Sequence, residues 1–256
     1  MSAFVLKLIA MSAMVADHAG SVFFDNSPIM RSIGRLAFLT YAFLVAEAYY
    51  HLKDKPERLR VHVVKYLVLA LVSEVPFDLF ESGVWLEFGT QNAVFTLLLG
   101  FLTLIVCDRW IKKLREHKAL AFVGCVVIVC ATAVIACLCR FEFKAAGVVF
   151  IVLSYCYLSR ADRWSLPKRA AALAGICAVF LVLQLWYASS FGGWTDMITA
   201  AQEHLYWVTG LPLVILPLAL YNRKPGYRSR WFDIVYSSFY PLQFAAFLVL
   251  LRVIGS

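Results

Sequence analysis

Asp17 and His18 lie inside one apolar run of the chain, Arg35 inside the next, and Glu74 and Asp78 inside a third. A charged side chain at membrane depth costs roughly 2.5–3.5 kcal/mol even on lenient insertion scales, so each of these residues needs a reason to be there. With spans drawn at 4–24, 29–50 and 62–80, His18, Arg35 and Glu74 each fall six residues from the same boundary. A helix rises about 1.5 Å per residue, which places all three about 9 Å inside that boundary. An imidazole, a guanidinium and a carboxylate at one depth outline a site for proton transfer and charge stabilisation.

Each residue type limits the chemistry available. Histidine titrates near neutrality, which suits His18 to general-base work. Asp17 is its chain neighbour, and neighbours on a helix point about 100° apart, so one faces a cavity while the other is held by a second helix. Arg35 cannot be neutralised and needs a partner. Glu74 or Asp78, four apart on one face, are available to it at matching depth, which would tie helices two and three by an ion pair. The other reading is that Arg35 binds an anionic group or stabilises developing negative charge. Glu47, near the end of the second span, is expected to snorkel or to pair with Lys53. Gln91 and Asn92 open the fourth span as caps or as acceptor-contacting groups. Tyr236, Tyr240 and Gln243 form a polar stripe in the last. No GxSxG, HExxH or phosphate-loop pattern occurs, and no Cys–His arrangement suggests a covalent nucleophile. The seven cysteines fall within or at the ends of apolar runs, where Cys packs as a small hydrophobe, so no metal is expected.

The elements that must position these groups are membrane helices. The 256 residues are 62% hydrophobic and 16% charged, with mean hydropathy +0.77. Apolar runs of about 20 residues recur along the whole length, which excludes a water-soluble domain of this size. Nine spans are drawn: 4–24, 29–50, 62–80, 92–107, 119–139, 145–158, 170–188, 205–221 and 232–252. The expected fold class is therefore all-α, a polytopic bundle of about nine transmembrane helices forming one domain over 1–256, with the first helix an uncleaved anchor. Small residues in that helix, among them Ala10, Ala13 and Gly20, suggest a central place in the bundle. Pro76 is expected to distort the third helix.

The net charge of +8 would point to nucleic acid in a soluble protein, but its distribution argues against such a partner. Most of the 24 basic residues crowd into alternate connectors: Lys53 to Lys65, Arg109 to Lys118, Arg160 to Arg169 and Arg223 to Arg230. The intervening connectors carry Asp25, Glu81, Glu87, Asp196 and Glu203, with only Arg31, at the start of the second span, Arg140 and Lys144 against them, and 189–203 is the candidate flexible segment. Basic connectors stay in the cytoplasm, which puts the amino terminus inside and the carboxyl terminus outside.

Several segments together resemble the TraX family, the pilin acetyltransferases of conjugative plasmids and their chromosomal relatives. They are Leu6-Lys7-Leu8-Ile9-Ala10-Met11 leading to Asp17-His18-Ala19-Gly20, then Ile33-Gly34-Arg35-Leu36-Ala37-Phe38 and Ala42-Phe43-Leu44-Val45-Ala46-Glu47. Ser73-Glu74-Val75-Pro76-Phe77-Asp78-Leu79, Asn92-Ala93-Val94-Phe95-Thr96-Leu97 and Phe239-Tyr240-Pro241-Leu242 follow. Leu39 stands where the family has Pro, and Gln243 where a His commonly follows Tyr-Pro-Leu, which leaves His18 as the intramembrane His of the site. The resemblance implies acetyl transfer from acetyl-CoA to an amine or hydroxyl acceptor at the bacterial inner membrane, plausibly the N-terminal amine of a pilin subunit. On that reading His18 is the general base, Asp17 orients it and Arg35 stabilises the oxyanion. Glu74, Asp78, Asn92, Tyr240 and Gln243 meet the acceptor, and Glu47, Lys53, Arg58 and Lys112 meet the coenzyme. The expected partners are membrane lipids and a pilin or other extracytoplasmic acceptor. A proton- or ion-coupled transporter using the same buried charges is the alternative, and a non-catalytic partner in a pilus assembly is a third.

Overall fold

The computed structural model of the protein describes residues 1–191 and 194–254, with backbone alone at 189–191 and 194–204. Nine α-helices are present among the described residues: α1 (Ala3–Val22), α2 (Pro28–Leu52), α3 (Pro56–Glu81), α4 (Ala93–Lys113), α5 (Lys118–Leu138), α6 (Lys144–Leu158), α7 (Leu166–Phe191), α8 (Trp194–Ala219) and α9 (Arg230–Ile254). No strand occurs among them, only an isolated bridge between Gln91 and Phe141. Six helices are long and apolar enough to cross a membrane: α1, α2, α4, α5, α7 (as Leu166–Ala188) and α9. The chain is a helical membrane protein. α3 is too charged to join the six, and the apolar stretches Lys144–Leu158 and Leu205–Ala219 are too short.

Two of the expected boundaries moved. α3 starts at Pro56, whose missing N–H costs nothing in the first turn of a helix, so the helix begins ahead of its apolar run. The expected segment 189–203 falls mostly within the ranges of α7 and α8. Its side chains, Asp196 and Glu203 included, and residues 192 and 193 lie outside the described residues. α3 is assigned as one helix through Pro76.

Two compact units interleave along the chain. The first comprises Met1–Tyr50 and Leu153–Arg228, the second His51–Val152 and Ser229–Ser256. In the first unit α2 is more enclosed than α1, with 61% of its apolar window buried against 39%. The small residues of α1 serve one face only. Ala10 and Ala13 are buried there, while Val5, Leu8 and Val15 on the other side are exposed. The α1–α2 hairpin closes tightly, because a Cβ on Gly20 would strike that of Met30. Asp25 and Asn26 make its turn in the left-handed region that these two residue types tolerate (φ 46° and 57°).

One end of this unit gathers its chain ends. The Met1 amine donates to the Leu220 carbonyl (2.7 Å), and the amide of Ala3 to Lys224 O (2.8 Å). Arg223 bridges to Asp162 (2.8 Å) and stacks 4.8 Å over the Tyr50 ring. The amino terminus, the end of α2, the segment after α6 and the end of α8 therefore share one end, as the alternation of basic connectors requires.

The second unit packs α3 against α4 and α9, and α4 against α5. Phe77 and Phe80 of α3 meet Phe244 of α9 at 5.7 and 5.1 Å, and Gly100 of α4 lies against Ile151. At one end Lys112 pairs with Asp108 (2.8 Å) and Asp54 (3.7 Å). At the other, Gln91 exchanges backbone hydrogen bonds with the Arg140–Glu142 turn.

Candidate functional site

The charged residues assemble into two centres, each inside its own unit. The first is built on the α1–α2 hairpin. Gly34 has no side chain, and the side chain of Asp17 fills the space where a Cβ would stand. That close approach delivers an α1 carboxylate to the face of α2 that carries Arg31 and Arg35. Arg31 Nη1 donates to Asp17 Oδ1 at 2.8 Å, whereas Arg35 Nη2 stays 3.9 Å from the same oxygen, beyond hydrogen-bonding reach. Within this unit Asp17 on α1 lies against Arg35, a proximity that the sequence reading did not draw. The sequence could not show this, because the rotation of each helix about its axis depends on where the backbones touch.

Arg35 is nine-tenths buried, at 10% side-chain exposure. Its guanidinium lies 5.0 Å from the centre of the Trp207 ring on α8, a favourable arrangement for a cation over an aromatic face. Gly210, one turn further along α8, makes room for the Ser32 carbonyl and for the Arg35 Cβ. Nε and Nη2 of Arg35, and Nε of Arg31, have no hydrogen-bond acceptor among the described residues. His18, half-buried on α1, follows Asp17 directly. Arg31 engages the Asp17 carboxylate, the group expected to orient His18. Among the described residues the centre holds one carboxylate and two guanidiniums, with donors of both arginines unused. That suits it to bind an anion or to stabilise one as it forms.

Beside this centre, α2 and α8 form an apolar groove of about 460 Å³, lined by Pro28, Ile29, Ser32, Ile33, Leu205, Tyr206, Thr209 and Leu213. Ser32 Oγ and Thr209 Oγ1 hydrogen-bond to each other in its wall (2.7 Å).

The second centre is organised by Asn92, which is fully buried and caps α4 by accepting from the Val94 amide (3.0 Å). Its Nδ2 donates to Ala70 O (2.9 Å) and to Glu74 Oε2, so both its oxygen and its nitrogen are committed. Asp78, 2% exposed, accepts from the Glu87 amide (2.9 Å) and pins the segment after α3. Tyr240 Oη accepts from the Ala93 amide at 3.4 Å, and Gln243 is buried on α9. Of these five residues, expected to meet the acceptor, Glu74, Asp78, Asn92 and Tyr240 accept from loop or helix-end backbone amides.

Of the residues expected to meet the coenzyme, Lys112 reaches Asp54, the chain neighbour of Lys53, at 3.7 Å. Glu47 Oε1 accepts from the Tyr221 hydroxyl (2.7 Å). Arg58 is exposed, Lys53 half-buried, and Lys112 is partly neutralised by Asp108 and Asp54. Sequence reasoning missed Arg31, counting it with the connector. Its spacing of four from Arg35, which puts both on one helix face, was the available signal.

The family model described as TraX protein matches residues 2–251. The chain belongs to the TraX family. A curated relative, "Probable fimbrial assembly protein FimC, serogroup H1" of Dichelobacter nodosus, is 28% identical over 116 residues. That match takes in 41% of this TraX-family chain and 46% of the relative, so the chain spans under half of the relative's length. No solved structure matches.

Proposed function

We propose that this TraX-family protein is an integral membrane acetyltransferase that moves an acetyl group from acetyl-CoA to an amine or hydroxyl acceptor, the N-terminal amine of a pilus subunit being the acceptor of choice. The observation that carries this reading is the pair of arginines sharing one carboxylate beside His18, with Arg35 buried and its donors unspent. Family membership and the printed name of the fimbrial relative support the acceptor class. All nine helices cross the bacterial inner membrane, with the amino terminus in the cytoplasm and the carboxyl terminus outside. Basic connectors on the cytoplasmic side meet the coenzyme's phosphates.

In the reaction the acceptor nitrogen or oxygen attacks the thioester carbonyl while His18 takes its proton. The carbonyl oxygen becomes an oxyanion held by the free N–H groups of Arg35. Collapse of the tetrahedral intermediate breaks the carbon–sulfur bond, and the departing thiolate recovers the proton from His18 as free coenzyme A. A preorganised donor of this kind is worth about 10²–10³ in rate. The groove between α2 and α8 takes the apolar part of the acceptor. Purified protein in lipid, given acetyl-CoA labelled in the acetyl group and a peptide with a free N-terminal amine, should transfer label and release coenzyme A thiol. Coenzyme binding without any label transfer to amine or hydroxyl acceptors would refute the enzyme reading.

A further inference from the structure

We infer that Arg31 is a positioning residue whose work is to occupy Asp17, so that Arg35 is left with free donors. This deepens the acetyltransferase reading and rests on it only for its kinetic part. The argument starts from competition for one oxygen. Arg31 and Arg35 lie four apart on one face of α2, and both point at Asp17 Oδ1, Arg31 at 2.8 Å and Arg35 at 3.9 Å. The side chains are comparably enclosed, at 16% exposure for Arg31, 10% for Arg35 and 16% for Asp17, so solvent access does not decide which guanidinium wins. The packing behind Arg35 does. Its guanidinium is held over the Trp207 ring, and the Gly210 crossing fixes its Cβ against α8, which keeps it off the carboxylate.

A buried carboxylate does not stay unpaired beside a guanidinium. Without Arg31, Arg35 lies 3.9 Å from Asp17, and a shift of about 1 Å would bring it into hydrogen-bonding range. Arg35 would then be quenched as an anion donor without itself being changed. Two variants separate this role from that of a simple strut between α1 and α2. Arg31→Gln removes the competitor and lets Asp17 capture Arg35. The double variant Arg31→Gln with Asp17→Asn also removes the captor and sets Arg35 free again. A strut predicts that the double variant is no better than the single one.

The first readout needs no catalysis. In full-length, isotope-labelled protein in detergent micelles, the Arg35 Nε–H resonance is identified by its loss in Arg35→Lys. It should move downfield in Arg31→Gln, as expected for a new carboxylate bond, and return to the parent position in the double variant. Arg31→Lys, which keeps a cation on Asp17, should leave it at the parent position. An Arg35 resonance unchanged in Arg31→Gln, or still shifted in the double variant, overturns the inference. Should Arg31→Gln not fold, a shifted resonance in Arg31→Lys or in the double variant does the same. The second readout is acetyl transfer, expected to fall about 10²-fold in Arg31→Gln, the scale of a lost oxyanion donor, and to recover at least tenfold in the double variant. The predicted resonance pattern in a protein that transfers no acetyl group would uphold the role of Arg31 and refute the acetyltransferase reading.

Discussion

At the scale of single residues, Arg35 separates two roles that are confounded when a buried charge has one partner. Removing one member of a buried pair costs about 3–5 kcal/mol, because the other is stranded. Here Arg31 already satisfies Asp17, so Arg35→Gln strands nothing and loses mainly the contact with Trp207, about 0.5–2 kcal/mol. Chemical denaturation should show that small loss, while transfer falls about 10²–10³-fold. A stability loss of 4 kcal/mol would make Arg35 a strut. Asn92 shows the opposite profile. Asn92→Ala removes a helix cap and leaves Glu74 without its side-chain amide donor, so the expected cost is about 2–4 kcal/mol in unfolding. An unfolding curve like the parent's would contradict that assignment. Charges inside apolar runs are conspicuous, which is why Asp17, His18, Arg35 and Glu74 were legible in the sequence. Arg31 was not, because it sits within one turn of the start of α2 and reads as a connector residue.

At the scale of elements, helix positions were legible because apolar length is written directly in the sequence. Expected spans of 4–24 and 119–139 correspond to Ala3–Val22 and Lys118–Leu138. Rotation and partner choice were not legible, since they depend on small contacts such as Gly34 against Asp17. That contact can be tested directly. In Gly34→Ala the added methyl would land on the Asp17 side chain, so the hairpin must open or the carboxylate must move. The overpacking should cost about 1–3 kcal/mol and reduce transfer by displacing Asp17 from Arg31. A Gly34→Ala protein with parental thermal stability and rate would show that the α1–α2 approach is not tight. The second unit carries a parallel case in Gly100, which has Ile151 against it and no charged group at stake. Its alanine variant should lose stability alone.

At the scale of the whole molecule, membrane class and the alternation of basic connectors were legible from composition and charge. The interleaved partition into two units was not, because α6 passes from one to the other within a single apolar run. The proposed orientation predicts that Lys55→Cys and Glu87→Cys, each alone in a Cys-free background, react with impermeant thiol reagent from opposite sides of intact cells. Both positions are exposed, so labelling of both from outside would overturn the topology and not merely reflect burial. The central claim is that acetyl transfer runs through the His18–Arg35 centre, and it is tested most directly by one comparison. Parent and His18→Asn proteins, reconstituted in the same lipid, are given labelled acetyl-CoA and an amine acceptor, and the initial rate of label transfer is measured. Asparagine keeps a hydrogen-bonding side chain and removes the base. The account predicts transfer in the parent and a rate lower by about 10²–10⁴ in His18→Asn, with coenzyme binding retained. Equal rates in the two proteins would contradict it.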